Sequence, residues 1–219
     1  VALAFGTSDV IEVFAAYNEA LWPAPAALSL VAFVCVCLAM FPIQGRNRIA
    51  SLLLASLWLW AGVVYQFWFF ARLTPMGYLF ALLFAAQAAL IVRVGVIRGE
   101  LQFWMHDGSR HLAGILLIFY ALVAYPSISA LIGRTFPSTP TFGVPCPLTI
   151  FTFGLLLLAR APYPRVLFAI PMVWAVVGTF LAMELKIRED LALIVAAALV
   201  MTMTPVDDDP DTVDADARS

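Results

Sequence analysis

The side chains in this sequence able to do chemistry are few. The densest group of them lies in Thr141-Phe-Gly-Val-Pro-Cys-Pro-Leu-Thr-Ile-Phe-Thr-Phe-Gly154. Pro145 and Pro147 cannot sit inside a helix, but either can open one. Cys146 is therefore expected at the mouth of a helix, with the hydroxyls of Thr149 and Thr152 further in. The unpaired backbone N–H groups of such a helix start, together with its positive dipole end, suit an anion or carboxylate. Gln66, Gln87 and Tyr125 lie within other apolar runs. Uncharged polar groups facing lipid cost free energy, so these should point inward. Cys146, Thr149, Thr152, Gln66, Gln87 and Tyr125 thus form a candidate ligand-binding set. No catalytic residue, metal ligand or cofactor is assigned.

A plainer reading stands beside this one. Threonines in membrane helices usually bond their own backbone, and Gln66 and Gln87 can serve only to join helices. A lone Cys146 packs as a small hydrophobe. Cys35 and Cys37 lie about 200° apart on a helix and cannot share a metal. His106 and His111 lack the i,i+4 spacing of a helical metal site and read as solvated loop histidines. Lys186, the only lysine, falls in a loop, which argues against a retinal Schiff base. No HExxH, GxSxG or P-loop pattern appears. No helix carries an acid at mid-depth, so no proton relay is expected.

The elements that position these groups follow from composition. Of 219 residues, 63% are hydrophobic and 12% charged, against about 25% charged in soluble domains. So much apolar surface does not fit inside a globule of this size. The sequence predicts a single all-α membrane domain over 1–204, a polytopic transmembrane helix bundle. Residues 9–22 read as an amphipathic helix lying in the interface plane, with Asp9 as N-cap and Glu12 completing a capping box. Tyr17, Asn18 and Glu19 on it read as a lid or as plain interfacial helix. About seven spans follow, at 24–41, 49–71, 76–96, 111–133, 146–160, 164–185 and 190–204, or six if the last is incomplete. Residues 205–219 hold six of the fourteen acids and are expected to be a disordered acidic tail. The first twenty residues lack a basic n-region, so no cleavable signal is expected.

Seven spans put the two ends on opposite sides. Arg46, Arg48, Arg93, Arg98, Arg110, Arg160 and Arg165 collect on one side, against Arg72, Arg134, Lys186 and Arg188 on the other. The positive-inside rule then favours a cytoplasmic C-terminus and an external N-terminus. The scattered arginines are no nucleic-acid footprint. The expected site is an outward-facing polar pocket ending near Gln87, with Pro126 and Pro171 opening the helices around it.

Three stretches carry a family resemblance: Val13-Phe-Ala-Ala-Tyr-Asn-Glu-Ala-Leu-Trp-Pro23, Leu57-Trp-Leu-Trp-Ala-Gly-Val-Val-Tyr65 and Thr141–Gly154, with Ile170-Pro-Met-Val-Trp174 as a weaker fourth. In these the chain resembles the prokaryotic multi-pass membrane proteins of the domain-of-unknown-function family numbered 6064. The resemblance implies fold and a cytoplasmic-membrane location. Some members carry transporter or permease labels, but it imports no substrate and no catalytic residue. Three functions stay open. One is binding or passing a small solute or ion from the outer face. The second is a non-transporting accessory or assembly subunit, and the third a membrane-embedded thiol enzyme using Cys146. The expected partners are the lipid bilayer and either further copies of this chain or a membrane partner protein.

Overall fold

The computed structural model describes residues 5–104, 108–160 and 164–204. The acidic run after Thr204 and the expectation for His106 fall outside the described residues. Among the described residues, eight helices make up the fold: α1 (Thr7–Leu21), α2 (Ala24–Met40), α3 (Arg46–Arg72), α4 (Met76–Arg98), α5 (Ser109–Leu131), α6 (Pro145–Leu157), α7 (Val166–Leu185) and α8 (Ala192–Met203). No strand forms among the described residues; only isolated bridges occur.

Each predicted span has its helix. Four of them, α3, α4, α5 and α7, are long and apolar enough to cross a membrane, and the bent α1–α2 pair would make a fifth. Their outward positions stay apolar: Leu30, Phe33, Leu52, Phe67, Leu82 and Phe119 are all exposed. Large exposed side chains of this kind are compatible with a membrane location. α6 and α8 are shorter, with 13 and 12 residues. At 1.5 Å per residue they reach only about 18–20 Å.

α1 begins two residues before the predicted start. Gly6 is its N-cap, and Asp9 reaches back to accept the Gly6 N–H at 2.7 Å. Asp9 is thus the returning half of a capping box and not the cap itself. α1 meets α2 at 88°, so it lies across the end of the bundle.

α6 is the axis of the fold. Twelve of its 13 residues are buried, Cys146 being the exception, as befits a helix apolar on every side. It packs against α5 through two glycines. A Cβ on Gly154 would stand 2.8 Å from the Gly114 carbonyl oxygen and 2.7 Å from Ile118 Cγ1. The chain after α4 plugs the far end of α6. There Trp104 donates its N–H to the Leu158 carbonyl at 3.1 Å, and Arg160 donates to Gln102 at 2.7 Å. Arg46 laces the same end together, donating to the carbonyls of Phe41 and Phe103 at 3.1 and 2.7 Å. His111 is buried here with Nε2 against the Trp104 carbonyl. It is a packed, bonded residue, unlike the solvated loop histidine that its position in sequence suggests.

Because α5 and α6 touch backbone to backbone at this crossing, Gly154→Val is expected to cost about 1–3 kcal/mol through overpacking. Thermal unfolding of the purified protein in detergent measures it.

Candidate functional site

Two of the long helices depart from α-helical winding where they meet the other end of α6. Residues Ala61–Phe69 of α3 and Tyr120–Ala124 of α5 are π-helical. In α5 the cause is Pro126. Its ring crowds the carbonyl four residues back, and the N–H of Tyr125 reaches Tyr120 instead. Wider turns of this kind re-aim the side chains that follow. Tyr65 and Gln66 from α3 and Tyr125 from α5 all turn into one cavity of about 50 Å³.

Cys146 from α6, Trp174 from α7 and Asp190 complete its polar lining. Asp190 arrives by a sharp reversal after α7. Lys186 takes the left-handed conformation (φ 54°), and the Ile187 N–H bonds the Ala182 carbonyl at 3.0 Å. This is a Schellman turn closed on a lysine where glycine is usual. It buries Ile187 and swings the short helical turn Arg188–Leu191 into the bundle. Glu189 is 1% exposed and Asp190 5%.

Two buried acids side by side need partners. Arg134, from the chain after α5, forms an ion pair with Glu189. Tyr120 donates its hydroxyl to the Glu189 carbonyl at 2.8 Å, and Tyr125 donates its hydroxyl to Asp190 Oδ1. The Cys146 thiol faces the same carboxyl. Arg134 is thus spent on Glu189, and no basic residue lines the cavity beside Asp190. Burial pushes Asp190 up to about 7. Hydrogen bonds from Tyr125 and Cys146 pull it down, Glu189 pushes it further up, and Arg134 lowers it.

One buried polar atom on the cavity wall, Gln66 Oε1, on a residue 1% exposed, lacks a hydrogen-bond partner, and Trp174 Nε1 has only the Cys146 thiol facing it. Leaving such an atom unpaired costs about 1–3 kcal/mol. Gly178 keeps the wall open next to them. A Cβ there would stand 3.4 Å from Trp174 Nε1 and 3.8 Å from Cys146 Sγ.

α1 covers the cavity with Val10 and Phe14. Its anchors are at its two ends. Thr7 donates to the Leu185 carbonyl at 2.8 Å. Asn18 donates to the carbonyls of Pro137 and Thr139 at 2.6 and 2.7 Å and accepts from Thr141 Oγ1 at 2.7 Å.

Of the six residues singled out in the sequence, Cys146, Gln66 and Tyr125 meet at this cavity. Three do not. Thr149 donates to the Pro145 carbonyl at 2.9 Å, within its own helix. Thr152 donates to Leu148 at 2.8 Å and accepts from Trp58 Nε1 at 2.9 Å. Gln87 donates Nε2 to the Leu167 carbonyl at 2.9 Å. That carbonyl is the one Pro171 cannot satisfy, four residues on, so Gln87 mends the gap that the proline leaves. The plainer reading fits these three: the threonines bond their own backbone and Gln87 joins two helices. The expected anion is also displaced: Pro145 and Pro147 remove two N–H groups from the start of α6, and Asp190 supplies a carboxyl there. Glu189 and Asp190 were missed because Lys186–Asp190 reads as a solvated loop. Among the described residues, no group of three His, Cys, Asp or Glu is placed to hold a metal.

Removing one member of the buried ion pair should cost more than removing both. Arg134→Met is expected to lose about 3–5 kcal/mol by stranding Glu189, while Arg134→Met with Glu189→Leu recovers most of it. Unfolding free energies of the two variants check this.

No curated protein and no solved structure matches the chain. The sequence model described as "Family of unknown function (DUF6064)" matches residues 8–208. That stretch takes in α1, every helix of the bundle and the reversal that carries Asp190. The match ends inside the acidic run. By a match of this extent, the chain belongs to the DUF6064 family.

Proposed function

We propose that this is an integral protein of a prokaryotic cytoplasmic membrane that binds a small polar solute in the cavity beneath α1. The N-terminus and the cavity face outward, and the C-terminus lies in the cytoplasm. What supports that orientation is the division of basic residues, seven against four when each of the seven apolar segments carries the chain from one side to the other, the short α6 and α8 included.

The observation that carries the reading is the unpartnered buried Gln66 Oε1, together with Trp174 Nε1, which has only a thiol facing it, on the wall shared with Asp190. One accepts and one donates, so a ligand with both a donor and an acceptor suits them. A cavity of about 50 Å³ takes roughly three to five waters at 10–15 Å³ each, or a neutral solute of similar size. An anion is disfavoured by the acid already there.

Binding is better supported than passage. Trp58, Phe84, Leu148 and Phe151 are fully buried in the core beyond the cavity. The accessory-subunit reading draws support from Gln87, which ties α4 to α7 and is unavailable to a ligand. A membrane partner or further copies of the chain would then cover the exposed aromatics. The thiol-enzyme reading is the least supported, since no His, Lys or Arg lines the cavity to favour a thiolate.

Cys146 reports on access. In intact cells carrying a Cys35→Ala, Cys37→Ala background, a charged, membrane-impermeant methanethiosulfonate should modify Cys146 slowly. Asn18→Ala removes three anchors of α1 and should raise that rate at least about tenfold, as each 1.4 kcal/mol lost is a factor of ten. Cys146 that stays unmodified in both proteins, yet reacts after denaturation, would overturn the reading.

A further inference from the structure

We propose that Asp190 is a proton-binding site and that loss of its proton loosens α1 over the cavity. The inference rests on the cavity beneath α1 being the functional site.

The argument starts from charge. Three ionisable groups meet here: Glu189 and Asp190, both buried, and Arg134, which is partly exposed. Arg134 and Glu189 cancel in their ion pair. An ionised Asp190 would leave one net negative charge inside the bundle, and burying an unpaired charge is strongly unfavourable. The groups that face it from each neighbouring element do not cancel it. α5 offers the Tyr125 and Tyr120 hydroxyls, α6 the Cys146 thiol and α3 the Tyr65 hydroxyl. α7 contributes no charged group to the cavity wall, only Trp174 among polar side chains, and α1 contributes apolar side chains.

Geometry then gives the two states different surroundings. A protonated Asp190 is a neutral polar group in a small cavity, and the apolar face of α1 can close over it. An ionised Asp190 keeps the Tyr125 hydroxyl as a donor and draws water to its remaining lone pairs. Val10 and Phe14 stand where that water must come. Among the described residues no ion pair ties their helix down; neutral hydrogen bonds from Thr7 and Asn18 and to Tyr17, with the packing of Val10, Phe14 and Tyr17, hold it, so it is the wall that yields. The proton passes between the carboxyl and water, and no other reactant is needed. The position of Asp190, raised by burial to about 7, puts the switch near neutral pH.

The sign of the stability effect follows. The folded chain holds this proton more tightly than the unfolded chain, whose carboxyl has the ordinary value of 3.8. The stabilisation is full below that value and is lost as the pH rises through about 7.

Infrared spectroscopy of the full-length protein in lipid nanodiscs reads the proton directly. A protonated-carboxyl carbonyl band is expected at pH 5, gone by pH 9, absent from Asp190→Asn and kept in Glu189→Gln. Tyr125→Phe removes a donor to the ionised form and should move the midpoint upward. This variant tests the assignment even if Asp190→Asn does not fold. Hydrogen exchange of the α1 amides tests the coupling, comparing variants at one pH so that intrinsic rates cancel. At pH 8 the wild type should exchange about tenfold faster than Asp190→Asn, at 1.4 kcal/mol per factor of ten; at pH 5 the two should agree. A band that is missing at pH 5, or that survives in Asp190→Asn, overturns the proton site. A band that titrates while α1 exchange stays equal at pH 8 overturns the coupling. Cys146 modification is read separately. Its presence without either signal leaves the cavity reading standing and removes this one, whereas its absence removes the accessible cavity itself.

Discussion

A helix with no exposed face cannot reach the surface of its bundle, and the rest of this structure follows from that constraint on α6. Every turn of it is packed, and at Gly114 and Gly154 the α5–α6 contact comes down to backbone. It is too short to span, so both of its ends lie inside and both must be closed by other chain. At one end the segment after α4 adds backbone hydrogen bonds to the last carbonyls. At the other, Pro-Cys-Pro opens the helix below the surface, leaving a space that the Arg188–Leu191 turn and α1 share. The cavity is thus a consequence of where α6 stops.

Prolines decide much of the remaining geometry, each through the hydrogen bond it fails to make. Pro126 shifts α5 into π-helical winding and so aims Tyr125. Pro171 frees the Leu167 carbonyl, which captures Gln87 and draws α4 onto α7. Two prolines with the same chemistry thereby produce opposite results: one sends a polar group into the cavity and the other keeps one out of it.

The arrangement of helices was legible because apolar runs of spanning length are separated by arginines, prolines and glycines. Cys146, Gln66 and Tyr125 were legible as inward polar groups for the same reason. Gln87 looked equivalent to Gln66 in sequence, and only the position of Leu167, eighty residues away, separates them. The acids were illegible in principle. Glu189 and Asp190 sit between Arg188 and an apolar helix, a pattern that describes a wet loop. Their burial depends on partners 55 and 65 residues distant and on a left-handed Lys186, which sequence preference argues against. The family resemblance needed neither acid; the chemistry of the site needs both.

The arginine-rich end gives a last consequence. Arg46 is one of the charges counted in orienting the chain, yet its guanidinium also grips the Phe41 and Phe103 carbonyls, as Arg110 grips Ala159. In the orientation proposed above these cations would act twice, first as topogenic signals during insertion and then as rivets in the finished protein. Lysine would serve the first role as well as arginine, since insertion counts charge alone. It would serve the second poorly, because an ammonium lacks the planar fork that spans two carbonyls. A chain with eleven arginines and one lysine is therefore suited to an end where the charges that the proposed orientation counts also fasten it shut.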